Sequence, residues 1–328
     1  MTGGWGVTGG WGVTAPLAVY AYLDDDVAPG VAALEAAGFR VVLAGSDDPS
    51  ELARVGADAV ALLVAYGTVD ADLIRRLPAL RVVSLISQGH DNVDVSACAR
   101  AGVQVAHLPP LATEEVAVHA WALTLVAIRQ LPFFDRASRS PSTWTARPRF
   151  VPRRLSQLEV GIVGTGRTAE KYAALAGGHV AAIRSWSRSG RALAGAASVG
   201  ELHELLGSSD VVSLHLPLTS ATAGLVDDAF LAAMRPGSYL VNVARGGLVD
   251  PGAVARALDS GHLAGIALDV LDQEPAQPGH PLAGRDDVLL TPHTAWLSEE
   301  SELAYVVEQA NNVIAWLQTG AVTHPVTP

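Results

Sequence analysis

The chain has 328 residues, of which 49% are hydrophobic and 17% charged, and its net charge is -11 at pH 7. This length allows two domains with separate cores, the composition excludes a disordered chain, and the negative charge argues against a nucleic-acid partner, which would need a basic surface. The single cysteine, Cys98, excludes an intramolecular disulfide framework and predicts a reducing, cytoplasmic compartment.

The first residues of the chain are repetitive. The hexapeptide Thr-Gly-Gly-Trp-Gly-Val occurs at residues 2–7 and again at 8–13. It has neither the basic start nor the apolar core of a signal peptide. Residues 1–14 are therefore predicted to form a flexible tail outside the fold.

From Leu17 onward, short apolar runs alternate with helix-like stretches, as in a parallel sheet whose strands are connected by helices. The predicted strands and helices of this first series are residues 17–22, 27–37, 40–44, 50–55, 59–64, 80–86 and 103–107. A glycine-containing loop at residues 87–92 follows the strand that ends at Ile86.

Residues 113–138 carry apolar residues at helical spacing and predict one long helix. Thr113 is the predicted N-cap, and the two glutamates after it suit the first turn, where the helix dipole favours negative charge. The apolar stretch 116–128 is too short to span a bilayer and contains His119, so a buried helix and no membrane partner are expected.

Residues 140–154 are rich in proline, serine and arginine and predict a connecting loop. A second series of strands and helices follows from Leu158. Its predicted strands are residues 160–163, 180–186, 211–214, 239–243, 264–268 and 288–290, and a helix is predicted from about Thr168. The final predicted helix, residues 299–317, has no further sheet to complete and is expected to return to the first domain.

The first strand of the second series runs into a GxGxxA motif at residues 164–169, and a helical pattern follows. Glycines also mark ordinary turns, but a strand before and a helix after are the context that dinucleotide binding needs. Gly164 permits the tight turn, Gly166 lets the backbone approach a pyrophosphate, and Ala169 keeps helix and strand close. Free N–H groups at the start of the helix would bind the anion.

The next strand bears on the choice between NAD and NADP. NAD enzymes usually have an acidic residue about 20 residues after the motif, which binds the adenosine ribose. Here the strand runs into Ser187, Arg188 and Ser189, without a carboxylate. An arginine flanked by hydroxyls can bind a 2′-phosphate, so NADP(H) is predicted. The alternative is that Arg188 is a solvated surface charge in an enzyme that uses NAD weakly or without selectivity.

Charged residues follow three later strands of this series, namely Arg245, Glu274 and His293. Ligands of open parallel sheets bind at the carboxyl ends of the strands, so these side chains could converge there. Taken singly, each also has a purely structural interpretation, as a helix cap or surface charge, a loop carboxylate and a loop histidine.

Taken together and in this order, these motifs resemble the D-isomer-specific 2-hydroxyacid dehydrogenase family, which includes glyoxylate/hydroxypyruvate reductases. The resemblance extends from about Leu17 over nearly the whole chain and includes residues 89–94, 113–117 and 214–219. It implies an α/β fold of two doubly wound parallel-sheet domains. A Rossmann cofactor domain, residues 108–296, would be inserted into a flavodoxin-like substrate domain, residues 15–107 and 297–328. The resemblance also implies a homodimer to which the region 113–138 contributes.

The same resemblance implies roles for individual residues, and no metal among them. Arg245 would hold the carboxylate and keto oxygen of a 2-keto acid, His293 would donate a proton, and Glu274 would orient the imidazole. Backbone N–H groups at Gln88 and Gly89 would also hold the substrate carboxylate. The residues expected at the cofactor are Gly164, Gly166, Arg167, Thr168, Ser187, Arg188, Ser189, His215, Pro217, Thr222, Val243 and Asp269.

The predicted function is reduction of a small 2-keto acid of the glyoxylate or hydroxypyruvate type with NADPH. Formate oxidation is disfavoured, because the related formate dehydrogenases have glutamine in place of Glu274. Departures from the family pattern at His107 and Pro110, near the expected substrate site, leave open a specialised biosynthetic dehydrogenase of an unusual acid such as a phosphonate. A nucleotide-sensing, corepressor-like binding protein is a further alternative, because the motif around Trp296 has some likeness to one.

Overall fold

The structure is a computed structural model, and it describes residues 15–22 and 26–327. The tail predicted at residues 1–14 lies outside the described residues. The chain divides into two compact units, Met1–Leu111 with Ser298–Pro328 and Ala112–Leu297. The domain boundaries predicted from the sequence, after residues 107 and 296, stay a prediction.

The first unit is built on a parallel sheet of five strands. Its strands are β1 (Leu17–Tyr20), β2 (Arg40–Leu43), β3 (Ala59–Val64), β4 (Val82–Leu85) and β5 (Gln104–Ala106). Its helices are α1 (Ala28–Ala36), α2 (Pro49–Val55), α3 (Ala71–Arg76), α4 (Val95–Arg100) and the last helix of the chain, α11 (Glu299–Thr319). The strand order β2-β1-β3-β4-β5 is that of a flavodoxin-like sheet. Every residue of β3 is buried, because helices cover both faces of such a sheet.

The final helix completes the first unit through a buried glutamine. The Nε2 of Gln309 donates to the backbone carbonyls of Val64 and Ser84 at 3.2 and 2.9 Å, and its Oε1 accepts from the Tyr22 hydroxyl at 2.6 Å. Gln309 is fully buried, so these bonds satisfy an amide that would otherwise destabilise the core.

The second unit is built on a parallel sheet of seven strands. Its strands are β6 (Glu159–Val163), β7 (Ala182–Trp186), β8 (Ala197–Ser198), β9 (Val211–Leu214), β10 (Ser238–Asn242), β11 (Leu263–Leu268) and β12 (Val288–Leu290). Its helices are α5 (Thr113–Ile128), α6 (Leu131–Ala137), α7 (Arg167–Ala176), α8 (Leu202–Ser208), α9 (Asp228–Ala233) and α10 (Pro251–Ser260). The order β12-β11-β10-β9-β6-β7-β8 reverses direction between β6 and β9, as in a Rossmann sheet. The predicted fold class, two doubly wound parallel-sheet domains, is confirmed.

The prediction of a single long helix over residues 113–138 is wrong. The chain breaks between α5 and α6, which meet at 54°. Gln130 adopts the left-handed conformation with φ of 54°, and Pro132 lies in the first turn of α6. In a continuous helix the proline ring would clash with the carbonyl of Ile128 and leave it without a hydrogen-bond donor, so the apolar period continues while the helix does not.

The start of α5 also differs from the predicted one. The N-cap of α5 is Ala112 and not Thr113, which is the first helical residue. Ala112 is only 4% exposed, so the chain packs into the core and enters the helix one residue earlier than a Thr113 cap requires. Among the described residues no single helix is long and apolar enough to cross a membrane, and α5 and α6 pass that test only as a bent pair.

Candidate active site

The carboxyl edge of the second sheet collects the predicted functional residues of this unit. All its strands are parallel, so their carboxyl ends share one edge. In the order β6, β7, β9, β10, β11 and β12, the segments that follow them carry Gly164, Ser187, His215, Arg245, Glu274 and His293. This is the edge at which open α/β sheets bind ligands.

The turn after β6 is shaped for a phosphate group. Gly164 has φ of +106°, and a Cβ there would lie 2.1 Å from the carbonyl oxygen of His215, so only glycine fits. Gly166 is the N-cap of α7, and no side chain of the described residues caps that helix. A Cβ built on Gly166 meets nothing within 4 Å, which leaves space beside the uncapped N–H groups. Ala169 is fully buried where helix and strand meet, and the segment therefore fits a dinucleotide.

The segment after β7 is cationic. The hydroxyl of Ser187 donates to the carbonyl of Arg191 at 3.2 Å and closes a short turn. Arg191 pairs with Glu170 at 2.7 Å. Arg188 is exposed and has no ion pair with any residue that the structure describes. Arg188 is therefore available to an external anion, whereas the neighbouring arginine is neutralised.

His215 turns its side chain into the protein. Its Nε2 lies 2.8 Å from the Ser213 hydroxyl, and its ring centroid is 5.0 Å from that of the buried Tyr172. Burial lowers the pKa of His215 to about 3, so the ring is neutral at pH 7. The part of His215 that lies beside Gly164 is its backbone carbonyl.

Other residues predicted at the cofactor shape their own loops. Thr222 accepts a hydrogen bond from the Thr219 N–H at 2.8 Å and donates one to the Pro217 carbonyl at 2.8 Å, which closes the loop after β9. Val243, just after β10, is only 7% exposed. Arg167 and Thr168 form the first turn of α7 beside Gly166.

Glu274 and His293 come together, although 19 residues separate them in sequence. Oε2 of Glu274 lies 2.6 Å from Nδ1 of His293, and Oε1 accepts the Leu271 N–H at 2.7 Å. An ionised carboxylate only accepts, so Nδ1 carries the hydrogen and Nε2 is left for other partners. Burial tends to raise the pKa of Glu274, but these hydrogen bonds and the charges of His293 and Arg245 outweigh it, so the pKa lies below its ordinary value.

The backbone of His293 is held in an unusual conformation. Its φ is 55°, in the left-handed region that few residues other than glycine and asparagine adopt. The His293 N–H donates to the carbonyl of Asp269 at 2.8 Å, and the indole of Trp296 donates to the His293 carbonyl at 3.0 Å. These bonds on both sides of the residue offset a backbone cost of about 1–3 kcal/mol.

Contacts of the main chain at Arg245 and Gly246 fix the position of this segment. Its carbonyl accepts from Nδ2 of Asn242 at 2.8 Å. A Cβ on the next residue, Gly246, would lie 1.9 Å from the carbonyl carbon and oxygen of Leu271. The Arg245 segment therefore touches the main chain that leads to Glu274.

Gln88 and Gly89 belong to the first unit, where they follow β4. The Ser87 hydroxyl donates to the Gly89 carbonyl at 2.6 Å and shapes the loop. Their predicted contact with a substrate carboxylate stays a prediction.

The Asp269 carboxylate binds the turn after β12, a structural role that its sequence motif did not indicate. The residue is 1% exposed, and its carboxylate accepts from the Thr291 hydroxyl at 2.6 Å and from the N–H groups of Thr294 and Ala295 at 3.0 and 2.8 Å. It thus fixes the turn that carries His293.

His119, which contacts Thr291, was not predicted as a functional residue. Its signal in the sequence was a polar residue within an apolar helix, which needs a hydrogen-bond partner.

Comparison with known proteins agrees with this geometry. Residues 121–295 match the family model for the NAD binding domain of D-isomer specific 2-hydroxyacid dehydrogenases. The chain is 35% identical over 258 residues to the glyoxylate reductase of Aeropyrum pernix, covering 76% of this chain and 77% of that protein.

Two solved structures are similar over nearly the full chain. The NADPH-dependent glyoxylate/hydroxypyruvate reductase of Sinorhizobium meliloti, in complex with NADP and malonate, has a TM-score of 0.83 and 29% identity, covering 96% of this chain and 97% of that one. The D-lactate dehydrogenase of Aquifex aeolicus, complexed with NAD and lactic acid, has a TM-score of 0.83 and 26% identity, covering 95% and 99%.

Proposed function

Because the chain belongs to the D-isomer specific 2-hydroxyacid dehydrogenases, oxidoreductases that act on CH–OH groups with NAD(P), we propose that it reduces a glyoxylate- or hydroxypyruvate-type 2-keto acid with NADPH. The observation that carries the proposal is the Glu274–His293 pair, joined at 2.6 Å beside the Arg245 segment. Reduction of a keto group needs a proton donor of this kind together with a fixed cation.

The chemistry is divided among three side chains. The hydride for the keto carbon would come from NADPH when it is bound. The Arg245 guanidinium holds the substrate carboxylate and the keto oxygen, where negative charge develops. Nε2 of protonated His293 gives its proton to that oxygen, which completes the 2-hydroxy acid. Glu274 keeps the imidazole oriented and favours its protonated form.

The cofactor would be held along the same edge of the sheet. Gly164, Gly166 and the first turn of α7 would bind the pyrophosphate. Ser187, Arg188 and Ser189 would bind the 2′-phosphate, because the Arg188 guanidinium is exposed and has no ion pair within residues 15–22 and 26–327. The NADPH dependence of the S. meliloti reductase supports this choice, and the NAD complex of the A. aeolicus enzyme shows that its fold also accepts NAD.

We expect Arg188→Ala to lower kcat/KM for NADPH by about 10- to 100-fold and to leave kcat/KM for NADH nearly unchanged, since a charge-assisted hydrogen bond contributes about 1.5–3 kcal/mol. Steady-state rates with both cofactors measure the effect. Arg40→Ala, which removes an exposed arginine of the first unit paired with Asp58, is the control and should change neither value. A wild-type enzyme that prefers NADH would overturn the NADPH assignment.

The substrate class is tested with a panel of 2-keto acids at saturating NADPH, followed by the loss of NADPH absorbance. We expect the highest kcat/KM with glyoxylate or hydroxypyruvate. Turnover of a phosphonate-bearing keto acid alone would instead identify the specialised biosynthetic dehydrogenase. Tight cofactor binding without turnover of any acid would favour the corepressor-like binding protein.

The proposed enzyme is a homodimer. Three apolar side chains of α6 and the following loop, Leu131, Phe134 and Trp144, are 49%, 40% and 69% exposed, and we propose that the partner subunit covers them. Light scattering is expected to give the mass of a dimer for the wild type and of a monomer for the double variant Phe134→Asp with Trp144→Ser. The control Leu43→Ser, at an exposed leucine of β2, should stay dimeric. A monomeric wild type would contradict the assembly.

A further inference from the structure

His119 lies on α5, which packs against β10 and β11, and its side chain reaches the turn after β12. Its Nε2 is 2.9 Å from the Thr291 hydroxyl and 3.5 Å from Oδ1 of Asp269. We infer that His119 is a positioning residue for the proton donor His293 and acts through a hydrogen-bond relay of Thr291 and Asp269. The inference rests on the proposed function and adds a residue to its machinery.

The direction of the relay follows from the donors available. The Thr291 hydroxyl has one hydrogen, and it lies 2.6 Å from Oδ1 of Asp269. An ionised carboxylate cannot donate, so Thr291 donates to Asp269. The Thr291 oxygen must then accept from His119, and Nε2 of His119 must carry the hydrogen. His119 thus holds one rotamer of the hydroxyl that supports the buried carboxylate.

Asp269 passes this support on to His293. Its carboxylate binds the two N–H groups that follow His293 in the turn, those of Thr294 and Ala295, and its backbone carbonyl accepts the His293 N–H at 2.8 Å. The turn must be held from both sides because His293 has φ of 55°. Without the His119 donor, the Thr291 hydroxyl can turn from Asp269 toward the Leu268 carbonyl, 3.4 Å away, and the 1% exposed carboxylate can lose its shortest hydrogen bond.

A looser turn would displace the imidazole from Glu274 and from the substrate. Displacement of a reacting group by about 1 Å costs on the order of 10²-fold in rate. The loss should appear in kcat, because the relay does not touch the segments proposed to hold the cofactor phosphates. KM for NADPH should change less than kcat, although Asp269 is itself among the residues expected at the cofactor.

The test compares variants that remove the relay with variants that keep its hydrogen bond. His119→Phe removes the donor, and Thr291→Val removes the bridging hydroxyl. His119→Gln keeps an amide N–H near the position of Nε2, and Thr291→Ser keeps the hydroxyl. We expect the first two to lower kcat by about 10- to 100-fold and the second two to retain most of it.

The double variant His119→Phe with Thr291→Val separates a relay from two unrelated packing effects. Both changes interrupt the same chain of hydrogen bonds. The kcat of the double variant should therefore be no lower than that of the less active single variant. Multiplied losses in the double variant would overturn the relay. Thermal unfolding of each variant establishes that it is folded, and if His119→Phe fails to fold, Thr291→Val and Thr291→Ser decide the question.

A second measurement does not depend on turnover. Diethyl pyrocarbonate modifies histidine rings, and peptide mass spectrometry follows His293 separately from the others. His293 should react severalfold faster in His119→Phe and Thr291→Val than in the wild type, His119→Gln or Thr291→Ser. A wild type that reduces no keto acid would refute the proposed function, while these rates would still decide the relay. An active wild type with unchanged kcat and reactivity in His119→Phe would refute the relay alone.

Discussion

His293→Gln is expected to lower kcat for keto-acid reduction by about 10²–10⁴-fold, the usual contribution of general acid catalysis. Glutamine can still hydrogen-bond Glu274, but its amide cannot give a proton to the keto oxygen. Steady-state kinetics with the best acid of the substrate panel and saturating NADPH measure the loss. Cofactor affinity, followed by NADPH fluorescence, should stay within the range of the wild type.

The matched control for this variant is His203→Gln, at an exposed histidine of α8 that is not among the residues proposed for the site. It makes the same chemical change and should keep wild-type kcat. A near wild-type kcat in His293→Gln would assign the proton transfer to another group and reduce the Glu274–His293 pair to a structural contact.

Arg245→Lys is expected to lower kcat/KM by about 10²–10³-fold, although the positive charge is kept. Loss of one well-placed donor to a developing oxyanion costs about 2.7–4 kcal/mol. An ammonium group is a single point of charge and cannot present the paired donors that hold a carboxylate and a keto oxygen together. Because both ground state and transition state use these contacts, KM for the acid should rise as kcat falls.

Arg235→Lys serves as the control for the arginine. Arg235 pairs with Glu159 and Asp210 before β10, at the opposite edge of the sheet from Arg245. It should leave kcat/KM unchanged. If Arg245→Lys retained wild-type kcat/KM, the guanidinium would have no part in binding the acid.

Much of the fold could be predicted because local signals and tertiary structure agree. The strands predicted at residues 211–214 and 288–290 coincide with β9 and β12, whose apolar runs have no competing period. Gly164 and Gly166 marked their turn because the chemistry of phosphate binding constrains both the residues and their flanking elements. Arg245, Glu274 and His293 could be grouped because parallel strands bring their carboxyl ends to one edge.

The remaining features depend on contacts that local sequence does not encode. Pro132 competes with an uninterrupted apolar period, and the period alone gave a single helix where the chain has two. His119 meets Thr291 across 172 residues, so neither residue has a local signal for the other. The left-handed backbone of His293 likewise depends on acceptors and donors supplied by Asp269 and Trp296.

The contact at Gly246 has a consequence for how such an enzyme can change its substrate. The main chain beside Arg245 touches the main chain before Glu274 with no space for even a methyl group. This contact thus fixes the spacing between the main chain that carries Arg245 and the main chain that leads to Glu274. The main chain that carries the groups acting on the reacting end of the acid is therefore constrained. New substrate specificity must then evolve through the loops that contact the rest of the acid. The chemistry can be inherited intact while the range of acids diversifies.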